Sequence, residues 1–204
     1  AGSGSDANNN TGSTIHAYIS NCSSPLATDP PRIEAVSGIR VSAVDSSTVC
    51  SDVGSGALSV GGLGASAGVS VATNNIANDV KAYVSASELD SLAGGITLVA
   101  NSAGSIQSLG VATSLGITLT GVNDAGGVAV SNINTAVEAY ADGGSELAAA
   151  GDIMIEARSD FAARTETCGA AGGLIPAGQS VATVTANGAI SAHLDGTVSG
   201  ADIV

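Results

Sequence analysis

Aromatic residues are nearly missing from this sequence: Tyr18, Tyr83, Tyr140 and Phe161 are the full set, and there is no tryptophan. A globular centre in a chain of 204 residues is normally filled with large rings, so their scarcity argues against one. Basic residues are also few: 5 Lys and Arg stand against 18 Asp and Glu, a formal net charge of −13. Nucleic-acid phosphates are bound through clustered Lys and Arg, which excludes nucleic acid as a partner and disfavours anionic membrane surfaces. No apolar run approaches the ~18 residues of a membrane span, so membrane insertion is not expected. The chain opens Ala-Gly-Ser-Gly-Ser-Asp, with neither an initiator methionine nor a signal peptide, as a mature product or a piece of a longer protein would.

What is abundant is small and aliphatic. Apolar residues make up 44% of the chain and glycine contributes 28 positions, while only 11% are charged. That balance is the reverse of a disordered chain. It suits a thin core repeated many times.

The repetition is visible. Val71-Ala72-Thr73-Asn74-Asn75-Ile76 through Val80-Lys81-Ala82-Tyr83 aligns with Val128-Ala129-Val130-Ser131-Asn132-Ile133 through Val137-Glu138-Ala139-Tyr140, an ungapped offset of 57. The same offset links Ile39–Ala43 to Ile96–Ala100 and to Ile153–Ala157. Weaker copies occur at Asn10–Tyr18 and Val181–His193. The chain therefore reads as one β-solenoid segment over 1–204, with repeats at about 9–65, 66–122, 123–176 and 177–204 and a loop insertion at about 21–34. Alternation of Val80, Ala82 and Val84 with Lys81, Tyr83 and Ser85 predicts strands with one buried face. Gly-Gly, Asn-Asn, Asp-Gly and Ser-Gly pairs between the runs predict turns. Apolar runs centred near Val80, Leu98, Ile117, Val137, Ile155, Leu174 and Ile190 suggest rungs of about 19 residues, three per 57-residue repeat, in a rod near 50 Å long at the usual strand spacing. A pair of β-sandwich modules with recurring strands is the rival architecture.

The string S/G-V-A-x-x-N-I-x-x-x-V-x-A-Y, followed by S-E-L and I-x-L/I-x-A, is carried by Ser70–Tyr83, Ser87–Ala100, Gly127–Tyr140 and Ser145–Ala157. It resembles the repeats of large bacterial filamentous adhesins and related haemagglutinin-like surface proteins, over residues 55–204 and more loosely at the start. The resemblance implies a right-handed parallel β-solenoid, secretion to the cell surface, and a role in adhesion or fibre formation. It supplies no catalytic residues. The Ser-Glu-Leu step slips by one residue between copies, and the Pro-rich stretch at 25–31 lies outside the pattern.

Candidate sites are sparse. Tyr18, Tyr83, Tyr140 and His193 share one outward position and form a possible contact ladder, with rings about 14 Å apart if three rungs separate them. Equally, each ring can simply cover a gap left by small neighbours. His16, Lys81, Glu138 and Ser191 share the position two residues before. The two histidines fall at opposite ends of the expected rod with no nucleophile motif nearby, so no catalytic residues are assigned. Polysaccharide cleavage would need paired acids about 5–10 Å apart and, usually, aromatic sugar platforms that this chain lacks.

Asp195 and Asp202, in a Gly- and Asp-rich tail, faintly echo calcium-binding nonapeptides; turn chemistry explains them as well. No metal ligand set and no cofactor is assigned. Cys22, Cys50 and Cys168 have no metal-type spacing. An oxidised Cys22–Cys50 bridge is the first of three possible pairings, and three buried thiols are the alternative. Sequons at Asn9-Asn10-Thr11 and Asn21-Cys22-Ser23 are expected in loops. The sequence thus points to an extracellular structural or adhesive protein. Its expected partners are like chains or further repeats end to end, or a host or neighbouring-cell surface. A calcium- or carbohydrate-binding module on the same scaffold is the alternative, with a polysaccharide-cleaving enzyme behind it.

Overall fold

A computed structural model describes residues 1–22 and 32–204. The described chain is a parallel β-solenoid with no helix. Its strands are β1 (Gly2–Ser20), β2 (Arg32–Ala35), β3 (Ile39–Leu63), β4 (Ser66–Ser85), β5 (Glu88–Ser91), β6 (Ile96–Thr120), β7 (Val122–Ala141), β8 (Glu146–Ala149), β9 (Ile153–Gly172), β10 (Ile175–Leu194) and β11 (Thr197–Ser199). They stack in three sheets: sheet A is β1-β4-β7-β10, sheet B is β2-β5-β8-β11, and sheet C is β3-β6-β9. Every pairing is parallel.

The register corrects the expected rung. Val80 lies on Val137, and Ile96 lies on Ile153, so that each residue meets its own counterpart in the next sequence repeat. One coil therefore consumes the whole repeat rather than a third of it. The apolar maxima at Val80, Leu98 and Ile117 all belong to one coil, the first on β4 and the others near the two ends of β6. Four strands of sheet A at ~4.8 Å spacing make a slab only about 14 Å deep along the axis, with strands of roughly 20 residues running about 65 Å across it, not a rod of about 50 Å. The slip at Ser-Glu-Leu is real: Glu88 pairs with Glu146 and not with Ser145. The insertion shows as an offset of 65 between Gly2 and Ala67. Its residues 23–31 lie outside the described part of the chain.

Packing explains why so few rings suffice. At one end all three sheets enclose Val80, Val84, Leu89, Ile96, Leu98, Val137, Leu147 and Ile153, each fully buried. Farther along only sheets A and C face each other, and the filling shrinks, first to Ile76, Ile106 and Ile133, then to Ala72 and Ala129. Glycine permits the final approach. A side chain at Gly127 would stand 3.3 Å from the carbonyl oxygen of Gly110, and one at Gly68 would meet the backbone of Thr113. Identical columns stacked at strand spacing bury aliphatic surface at close to crystal density with small side chains alone.

Polar columns continue where aliphatic ones stop. Asn74 donates to Ser51 at 2.8 Å, the Ser66 and Ser114 hydroxyls lie 2.8 Å apart, and the Ser131 and Thr165 hydroxyls lie 2.7 Å apart. A buried polar group is costly unless it is partnered; these three pairs are made between the facing sheets, whereas Ser70 Oγ and Asn123 Nδ2 are buried without a partner.

Candidate functional site

The only aromatic assembly among the described residues stands on the outer face of sheet A. Alternation along β1, β4, β7 and β10 turns Tyr18, Tyr83, Tyr140 and His193 outward, and parallel in-register pairing stacks them. Ring centroids are 5.1, 5.1 and 4.9 Å apart, with interplanar angles of 10°, 4° and 6°. The rings thus follow one another at a single strand step, instead of the three steps expected from the shorter rung. Each inner ring has both faces covered, so the ladder shows ring edges to solvent, and only Tyr18 and His193 have a free face. That geometry is poor for stacking a sugar and good for locking register between coils.

Charges run beside the rings. Lys81 Nζ lies 3.1 Å from Glu138 Oε2 and 3.6 Å from Asp79 Oδ1, and His16 Nε2 lies 3.1 Å from Asp79 Oδ2. The hydrogen bond to Glu138, together with its charge and that of Asp79, holds the Lys81 ammonium above its ordinary range, against the opposing effect of burial. Burial raises the Tyr140 hydroxyl as well, assisted by Tyr83. The Lys81–Glu138 and His16–Asp79 pairs link adjacent coils, as the rings do. Asn132 Nδ2 does the same to Asn75 Oδ1 at 2.8 Å.

The remaining sequence-derived candidates are dispersed. Asp195 occupies the corner after β10 as Asp142 does after β7; their amides bond to Ala141 and Val84 of the preceding coil. Asp142 caps its corner: its carboxylate accepts from the Ser85 hydroxyl, the Ala86 and Gly144 amides and the Ser145 hydroxyl. Asp-Gly is corner chemistry here. Asp202 accepts from the Ile203 amide. No group of three His, Cys, Asp or Glu side chains gathers with metal-binding geometry among the described residues.

Cys22, Cys50 and Cys168 are free thiols, which corrects the Cys22–Cys50 pairing. Cys50 points outward midway along β3, whereas Cys22 follows β1 at the three-sheet end, where its amide bonds to Ser87. Nor are the thiols buried, since Cys50 and Cys168 are exposed. Asn9 is not in a loop either: it lies within β1, half-buried, and donates to Asn74 at 2.9 Å.

On sheet C, Asp52 and Glu166 border a shallow groove with Gln107 and Arg164. They are two coils apart, and Glu166 is tied to Arg164 at 2.6 Å. No helix among the described residues is long and apolar enough to cross a membrane.

Comparison with protein-family models, with curated proteins and with solved structures finds no match to this chain. Function must be argued from the fold.

Proposed function

We propose that the chain is a stacking unit of an extracellular, surface-attached fibrous or adhesive protein, whose work is to extend a solenoid and display its faces. One observation carries the reading: the interior columns run without interruption through every coil. Ile15, Val80, Val137 and Ile190 form one column, and Ile39, Ile96 and Ile153 another. The outermost strands have free backbone edges, which template further pairing.

The two ends are not flush. Sheet A has four strands and sheet C three, so β10 turns its inner face to solvent, with Val184 48% and Ile190 55% exposed. Ile203 already bridges to Ile153, at the first position of a fourth sheet C strand. The end therefore accepts a strand of this repeat before it accepts a whole coil.

Appending a second copy of residues 98–120 after Val204 supplies that strand in register. Amide hydrogen exchange of β9 and β10 should slow by at least tenfold, because a frayed end becomes an interior coil. Unchanged exchange in both strands would remove the basis of the proposal.

A further inference from the structure

The apolar run around Ile117 is not a core run. On β6 the inward side chains are Ile96, Leu98, Ala100 and onward in steps of two, which leaves Leu115, Ile117 and Leu119 facing out, 50%, 63% and 80% exposed. Leu58 and Val60 of β3 flank them, Leu58 directly beside Leu115 and Val60 beside Ile117. At the distal end of sheet C the outward positions are Gly54, Gly56, Leu58, Val60 and Gly62 on β3, Val111 to Leu119 on β6, and Cys168, Ala170 and Gly172 on β9. None is charged, in a chain of net charge −13.

We infer that this face pairs with the same face of a second copy of the chain, through a two-fold axis. Charge selects the occupant. Elsewhere sheet C presents Arg40, Asp52, Glu156, Arg158, Asp160, Arg164 and Glu166, and sheet A presents Asp79, Lys81 and Glu138. Two acidic copies repel except where both are neutral, and this face is neutral. An anionic lipid surface is opposed by the same net charge, with no basic rim to offset it.

Shape agrees. Nothing lies within 4 Å of where a side chain would project from Gly54 or Gly62, so these are open notches beside the Leu58–Val60 ridge. A two-fold rotation sets one copy's ridge into the other's notches, the interdigitation that facing sheets use. The face spans roughly 30 Å by 15 Å, enough to bury on the order of 1,000–1,200 Å² in total with its margins, at the lower end of specific interfaces. A two-fold contact closes at two copies. It is thus distinguishable from end-on stacking, which does not close.

The test uses the full chain carrying Ile190→Lys, which sets a charge on the exposed inner face of β10 and blocks growth at that end. Sedimentation velocity over a concentration series should show a discrete dimer. Adding Leu115→Asp and Ile117→Asp should abolish it, with the far-ultraviolet spectrum unchanged because both side chains are solvent-exposed; if that pair misfolds, Leu58→Asp alone should weaken the dimer at least tenfold. A chain that stays monomeric throughout the series overturns the inference, as does a dimer that survives in the folded aspartate variants. Co-flotation with neutral phosphatidylcholine vesicles in place of dimerisation overturns it too, and gives the face to lipid.

Discussion

Asn78 donates from Nδ2 to Oδ2 of Asp45 at 2.6 Å, across the interior between sheets A and C. Asp45 is 5% exposed, and it also accepts from Ser47 at 3.1 Å and Ser102 at 3.3 Å. The arrangement satisfies a buried carboxylate with three neutral donors and no cation. Removing a donor from a buried charge costs more than removing the charge itself, since the orphaned carboxylate keeps its full desolvation penalty. Asn78→Ala is therefore expected to destabilise by about 3 kcal/mol, and Asp45→Ala by about 1–2 kcal/mol. The double variant should lose less than the sum. Urea unfolding of the three variants measures this; equal losses that add would mean the pair is not coupled.

The ring ladder makes a graded expectation. Tyr83 has a ring on each side, whereas Tyr18 has only Tyr83. Each stacked pair contributes roughly 0.5–1.5 kcal/mol beyond area burial. Tyr83→Ala should thus lose about twice what Tyr18→Ala loses, and Tyr83→Phe should be nearly neutral because the ring alone stacks. Denaturant midpoints of the three variants decide it, and a large loss in Tyr83→Phe would shift the role to the hydroxyl.

How legible all this was depended on which signal carried it. The offset of 57 was readable because parallel in-register stacking puts like residues on like, so Tyr83 over Tyr140 is both a sequence match and a contact. The alternation at Val80, Ala82 and Val84 gave the buried face of β4 for the same reason. Coil length was not readable. Ile117 and Leu98 look alike as apolar maxima, yet Leu98 is buried and Ile117 exposed, and only the parity along β6 separates them. Counting both as core produced the shorter rung. The polar interior was hidden as well, because Asp45 and Asn78 lie on different strands, far apart in the chain, and nothing local marks either as buried.

Stability should fall at both pH extremes, through different groups. Asp142 is held below its ordinary 3.8, first by the Ser85 hydroxyl and then by the Ala86, Ser145 and Gly144 donors, against a smaller burial effect. A lowered folded value means the stabilisation is complete above about pH 5 and drains as the pH falls through about 4 and below. Lys81 and Tyr140 are held above their ordinary 10.5 and 10.0. With raised folded values the contribution is complete below about pH 9.5 and is lost as pH rises past about 10. Urea midpoints against pH should show a plateau between these limits. Asp142→Asn should lower the plateau and flatten its acid limb, and should move the alkaline limb only slightly, since the Asp142 charge is the smallest of the effects acting on Tyr140. A variant that altered the alkaline limb equally would contradict the assignment.

The corner between sheets A and B leaves room for improvement at one residue. Ala86 adopts φ +47°, and Asn21, one coil earlier in the same corner, adopts +49°. A left-handed residue other than glycine costs roughly 1–2 kcal/mol, least for asparagine, whose short polar side chain bonds locally. Ala86 has no such relief, although its amide is held by Asp142 at 3.1 Å. Ala86→Asn is expected to raise stability by about 0.5–1 kcal/mol, and Ala86→Gly by up to the same amount, since glycine offsets part of its relief through a freer unfolded chain. Ala86→Val should destabilise by more than roughly 1 kcal/mol, because a β-branched side chain fits this region worst. Denaturant unfolding ranks the four proteins. Were valine to match alanine there, the positive φ would not be a real constraint on the corner, and the match between Asn21 and Ala86 would be coincidence.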